Sequence, residues 1–300
     1  MRLDVYSTSH MIRIFGTIFA GLLGLAFGSF LNVCLSRWPQ GESVVNPRSH
    51  CRNCDHTLTW WENVPLVSWV MLRGRCRKCG TAIGWRYPLV ELAVGVLWAA
   101  TVWRSFTATD PFEPADWLWL VLVDTTAAMA LGWIFVALAI LDAENFWLPN
   151  FLTIPGIVVG LVVCVLNEIF GHHFDTGSRP FRAFAVRSLS ALAAAALILL
   201  IRWVYKLIRH REGMGLGDAK LMAMLAAWLG LPGALLAFGL GAVLGSVVAL
   251  GLLLVPASRR GSDTWAGSKL PFGTFLCIGG IVSSLWGQSM IAAYLRWAGF

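Results

Sequence analysis

Charge is what this chain has least of. Asp, Glu, Lys and Arg make up 13% of its 300 residues, against 57% hydrophobic residues and a mean hydropathy of +0.69. So few charges cannot cover a water-soluble surface of that size, which excludes an ordinary soluble fold and a disordered polar chain. Seven cysteines are too few for a secreted disulfide scaffold of this length. No G-x-G-x-x-G follows a strand-like segment, which excludes a Rossmann dinucleotide site. The net charge of +7 would suit a nucleic-acid binder, but in a membrane chain positive charge first reports which loops face the cytoplasm. No nucleic-acid partner is expected.

What the chain does have is long uncharged runs. The first, Ile14 to Ser36, is 23 residues, longer than a signal-peptide core and without a small-residue cleavage site, so it is expected to remain as a helix. Further runs are Leu92 to Trp103, Thr125 to Leu141, Asn145 to Asn167, Ser188 to Ile201, Leu221 to Ser258 and Leu270 to Leu295, the shorter ones extensible past a flanking charge. Leu231-Pro232-Gly233 is a turn signal that divides the long run from Leu221 in two. The prediction is an all-α polytopic membrane protein of about eight transmembrane helices. With the amino terminus outside, most Lys and Arg fall in inner loops, as the positive-inside rule requires. The organisation expected is an amino-terminal segment and first helix over 1–35, a cytoplasmic loop domain over 36–88 and a membrane core over 89–300.

The loop holds Cys51-Arg-Asn-Cys54 and Cys76-Arg-Lys-Cys79, two C-x2-C pairs separated by 21 residues. Two residues between cysteines let one tight turn aim both sulfurs at a single ion, and two such turns complete a tetrahedral thiolate site, so structural zinc on Cys51, Cys54, Cys76 and Cys79 is predicted. The alternative is two disulfides or a redox pair, which a reducing cytoplasm disfavours. The loop buries too little apolar surface to fold firmly without the metal, and four sulfurs leave no open position for catalysis. Cys34, Cys164 and Cys277 lie in apolar runs and read as packing residues.

Two acidic residues stand at helix ends on the same side. Asp142 ends the third helix, and Asp218 opens the sixth in Gly213-Met214-Gly215-Leu216-Gly217-Asp218-Ala219-Lys220. Singly, each has an ordinary explanation among headgroups. Together they say more, because only about 13 residues, roughly 20 Å, separate Asp218 from the Leu-Pro-Gly turn, against roughly 30 Å of hydrocarbon. A carboxylate held below the membrane surface is a functional candidate by default. Two neighbouring carboxylates can share one proton, one activating water and the other protonating a leaving amide nitrogen, which is aspartic protease chemistry. Helix ends favour Asp218 as the water-activating partner and Asp142 as the proton donor.

These residues resemble the type IV prepilin peptidase family, aspartic proteases with a GxGD motif. The resemblance runs through Gly28-Ser29-Phe30-Leu31-Asn32-Val33, the paired C-x2-C motifs, Trp61-Glu62-Asn63-Val64-Pro65-Leu66, Arg86-Tyr87-Pro88-Leu89-Val90-Glu91-Leu92, the Asp142 segment, the Asp218 segment and Pro271-Phe272-Gly273. It implies that Asp142 and Asp218 are the catalytic pair of a bacterial inner-membrane endopeptidase. It also implies that the enzyme cuts the basic leader from type IV prepilins or pseudopilins at the cytoplasmic face, then N-methylates the new amino terminus from S-adenosylmethionine. Asn150 stands where many members have Asp, Ala226 where Gly is usual, and Asp55 rather than Gly follows the first cysteine pair. Methylation rests on the resemblance alone, and no donor-site residue is assigned. Membrane lipid is the other expected partner of the basic loop.

Of the remaining polar groups, Asp124 reads as interfacial, Glu91 as structural at a helix start, His172 and His173 as solvated, and Lys220 as either a headgroup or a substrate contact. The competing class is a proton-coupled transporter using Asp124, Asp142 and Asp218 as relay carboxylates; a peptidase without methylation is a further alternative.

Overall fold

In the computed structural model the described residues are 2–108, 115–170, 179–210, 214–254 and 270–299. His172, His173, Gly213 and the expected inner loop from Pro256 to Lys269 lie outside them. The described residues form helices α1 (Arg2–Arg37), α2 (Val67–Met71), α3 (Arg86–Ala108), α4 (Ala115–Asn145), α5 (Asn150–Phe170), α6 (Arg179–Arg209), α7 (Leu216–Leu254) and α8 (Phe272–Trp297), with no strand beyond two isolated bridges among them. All but α2 are long and apolar enough to cross a membrane. The chain is an all-α polytopic membrane protein.

Helix α7 is two helices end to end. Gly230, at φ +72° and ψ +173°, interrupts it, so seven helical elements supply the eight segments expected. The break falls one residue before the Leu-Pro-Gly signal, because Gly230 alone takes the left-handed backbone while Pro232 fits the start of the second limb. The limb carrying Asp218, 216–229, is about 21 Å long at 1.5 Å per residue. The fourth expected segment also shifts. Asn145 belongs to α4, whose end is closed by Phe146 at φ +52° donating its N–H to Asp142 O at 2.9 Å, and α5 begins only after Pro149.

The chain divides into two compact units, with α4 contributing to both. In the first unit α1 and α3 approach closely at small residues. A Cβ on Gly24 would lie 2.9 Å from Gly95 Cα, and one on Gly28 would lie 2.7 Å from Glu91 Cα. Such contacts let dispersion and backbone proximity hold helices that gain no hydrophobic drive against lipid. Trp98 and Trp133 tie α3 to α4 and α4 to α1 by donating to Met129 O at 2.9 Å and Phe27 O at 3.1 Å. Leu31, Leu35, Val94 and Phe135 form this unit's buried centre.

The second unit is built on α7. Gly160 leaves room for the Trp228 indole, whose Nε1–H donates to Gly156 O at 2.8 Å, fastening α5 to α7. Arg187 of α6 donates to Trp228 O at 3.3 Å, taking up a carbonyl left free where the first limb ends. Leu138, Leu141, Leu221, Met222, Met224, Leu225 and Leu276 are fully buried here. Cys34 and Cys277 are buried in the two units, and Cys164 is partly buried.

Candidate active site and metal centre

Asp218 is the third residue of α7. Its Oδ2 accepts the backbone N–H of Gly215, just ahead of the helix, at 3.0 Å. This is the return half of a capping box, in which an acidic residue in the first turn satisfies a free N–H at the helix start. Arg202 of α6 donates to Met214 O at 3.2 Å and steadies the same turn.

Asp142 sits in the last turn of α4. Its Oδ2 accepts the N–H of Thr274 at 2.8 Å and lies 3.3 Å from the Thr274 hydroxyl, which donates to Ala139 O at 2.8 Å. Thr274 opens α8, 132 residues away. Both carboxylates are buried, at 6% and 8% exposure. Two acids 76 positions apart in sequence thus lie buried at helix ends of the same unit.

Glycine lets the segments around the two acids pack closely. A Cβ on Gly273 would stand 2.9 Å from Asp142 Oδ2 and 3.0 Å from Leu148 Cδ1, and one on Gly217 would stand 3.0 Å from the same Leu148 carbon. Leu148, in the turn after α4, therefore wedges between the glycine beside each acid. Buried acids held by fixed backbone donors can hold or pass a proton.

The four cysteines converge in the first unit. Their Sγ atoms all lie within 4.8 Å of one another, with Cys51 to Cys79 at 3.8 Å and Cys54 to Cys76 at 4.0 Å. A tetrahedral ion with bonds of about 2.3 Å needs sulfurs about 3.8 Å apart, whereas a disulfide needs about 2.05 Å. The donor set fits a tetrahedral metal.

The two knuckles repeat the same bonds. Cys51 N–H donates to His56 O and Asp55 N–H to Cys51 O, while Cys76 N–H donates to Thr81 O and Gly80 N–H to Cys76 O, all at 2.8 to 2.9 Å. Asp55 takes φ +54° where Gly80 takes +70°, so the Asp after the first pair keeps the turn, as an Asx residue tolerates. The Thr81 hydroxyl lies 3.2 Å from Cys79 Sγ, and the Asn53 amide donates to the same sulfur at 3.7 Å.

Comparison with known proteins follows the two units closely. Residues 22–105 match the Bacterial Peptidase A24 N-terminal domain, and residues 129–250 match the Type IV leader peptidase family. A relative from Stutzerimonas stutzeri is 33% identical over 92% of this chain and 93% of its own length. One from Pseudomonas aeruginosa is 33% identical over 93% of each, and one from Myxococcus xanthus 38% identical over 83% of this chain and 68% of its own. All three are named prepilin leader peptidase/N-methyltransferase. The chain belongs to the type IV leader peptidase family. No solved structure matches it.

Within this leader peptidase some contacts escaped sequence reasoning. Thr274 was not singled out, although it directly follows the Pro-Phe-Gly segment; a lone Thr in an apolar run carries no signal of its own. Lys220 donates to Asn150 Oδ1 at 2.6 Å, joining the first turns of α7 and α5. Asp124 is exposed and accepts from Asn167 Nδ2 at 2.5 Å, a bond within the second unit. Glu91 is buried and its Oε2 accepts the N–H of Leu66, just ahead of α2, at 2.8 Å.

Proposed function

We propose that this protein is a membrane aspartic endopeptidase in which Asp142 and Asp218 remove the basic leader of type IV prepilins or pseudopilins at the cytoplasmic face of the bacterial inner membrane. The observation that carries the reading is the pair itself: two buried carboxylates from different helices, each accepting a backbone N–H and each beside a glycine packed against Leu148. In this reading the pair shares one proton. Asp218, at the amino end of its helix, takes the proton of the attacking water, and Asp142 gives a proton to the leaving amide nitrogen. A prepilin offers an apolar helix to the bilayer and a Lys/Arg-rich leader to the cytoplasm, so its cleavage junction reaches the depth of such a pair.

Zinc on Cys51, Cys54, Cys76 and Cys79 would fold the 36–88 loop domain, with 89–300 as the peptidase core; with four thiolates it has no free position for catalysis. The second half of the relatives' name supports transfer of a methyl group from S-adenosylmethionine to the new amino terminus. A transporter is not favoured, since the relatives are named as peptidases.

The test is mass spectrometry of a prepilin incubated with the purified full chain and methyl donor. Leader loss and gain of one methyl group are expected, with no cleavage by Asp142→Asn or Asp218→Asn variants that insert normally. Near-normal cleavage by either variant removes that residue from the role.

A further inference from the structure

The loop between α1 and α3 keeps apolar surface that is exposed among the described residues. Helix α2 turns Trp69 inward, where the indole N–H donates to Ile83 O at 3.1 Å and the ring lies 4.4 Å from that of Trp85. Its outward face presents Val67, Val70 and Met71, at 52%, 66% and 69% exposure and at the i, i+3, i+4 spacing of one helix side. A loop that needs a metal to fold gains nothing from holding three apolar side chains in water.

That face is fixed in place by the spanning helices. The Glu91 carboxylate of α3 holds Leu66, the residue before α2, and Arg52 donates to Ser36 O at 2.8 Å near the end of α1. Trp85, 68% exposed, stands four residues ahead of Leu89 on α3, where Leu89, Leu92 and Val96 form an exposed apolar stripe. Leu66, the residue before α2, is thus tied to the same helix that carries this stripe. Past α2, Arg73, Arg75, Arg77 and Lys78 are all exposed, with no acid among residues 73–78.

We propose that α2 and Trp85 form an interfacial anchor that lays the cysteine loop on an anionic phospholipid surface. Val67, Val70, Met71 and Trp85 enter the boundary between headgroups and acyl chains, and Arg73 and Arg75 meet the phosphates. Lipid rather than a peptide is the occupant because α2 is tied through Leu66 to the spanning helix α3 and the cations beside it complement phosphate. This does not rest on the proteolytic reading.

The experiment places the photocrosslinker p-benzoylphenylalanine at position 70 of the full chain in nanodiscs of phosphatidylcholine, with or without phosphatidylglycerol. Illumination is expected to give phospholipid adducts on the peptide carrying position 70. Their yield should be several-fold higher with phosphatidylglycerol and fall several-fold in the Arg73→Gln, Arg75→Gln double variant. Zinc content equal to the unsubstituted protein shows that the loop is folded; if it is lost, position 71 carries the probe instead. No lipid adduct from a folded loop, crosslinks only to protein or to an added prepilin, or a lipid yield indifferent to phosphatidylglycerol would each overturn the proposal.

Discussion

Gly273→Ala probes how tightly the Asp142 carboxylate is held. The new Cβ would sit 2.9 Å from Oδ2, where ordinary contact begins at 3.4 Å, so relief requires a shift of about 0.5 Å, the difference between the two. Leu148, on the other side at 3.0 Å, blocks one way out for the methyl group. A retreat of that size stretches the Thr274 N–H bond from 2.8 to about 3.3 Å, past the usual range for such bonds. If 1 Å of misplacement costs roughly a hundredfold in rate, half of it costs about tenfold.

The overpacking penalty is about 1–3 kcal/mol, partly offset by the roughly 1 kcal/mol that Ala gains over Gly in a helix, so the protein should still fold. The assay is kcat/KM for leader removal in native membranes, read beside the thermal unfolding midpoint. Gly239→Ala, with no atom within 4 Å of its new methyl, is the control and should cleave at the wild-type rate. A Gly273→Ala enzyme within twofold of wild type would refute the reasoning, because the carboxylate would then not depend on that contact.

Other outcomes follow from the same geometry. Cys51→Ser or Cys76→Ser should lower bound zinc from one per chain and open residues 36–88 to protease while the membrane helices keep their circular dichroism; unchanged protection without metal would count against a structural ion. Asp124→Asn should cleave within twofold of wild type, since its exposed carboxylate is engaged by Asn167; a large loss would bring Asp124 into the chemistry. Glu91→Ala strands the Leu66 N–H at a cost of about 1–3 kcal/mol, seen as a lower denaturant midpoint for the loop, and Glu91→Gln should recover part of it. The Thr59 hydroxyl, then its backbone N–H, hold the Glu62 carboxyl below its ordinary 4.5. A lowered folded value means that the stabilisation is fully present above 4.5 and is lost as pH falls through that folded value. The stability gap between wild type and Glu62→Gln should therefore shrink in acid, and a gap that widens would contradict the sign.

Sequence alone determined what local chemistry and composition can carry. Scarce charge required membrane helices, two C-x2-C pairs specified a four-sulfur centre, and a Leu-Pro-Gly segment had to interrupt a run too long for one span. Asp142 and Asp218 were visible as acids at helix ends because neighbouring residues alone define an end. The placement of the α7 break at Gly230 needed the backbone itself, since Gly, Pro and Gly in succession offer several places to turn. Tertiary structure alone decided which distant groups complete each site. Thr274 reaches Asp142 across 132 positions, Leu148 fills the gap between Gly217 and Gly273, Glu91 holds Leu66, and Lys220 finds Asn150. None of these pairs lies within one element, so no periodicity or spacing encodes them. They exist because helix packing, through glycines that leave no room for a side chain, brings the elements close enough for a single hydrogen bond to form.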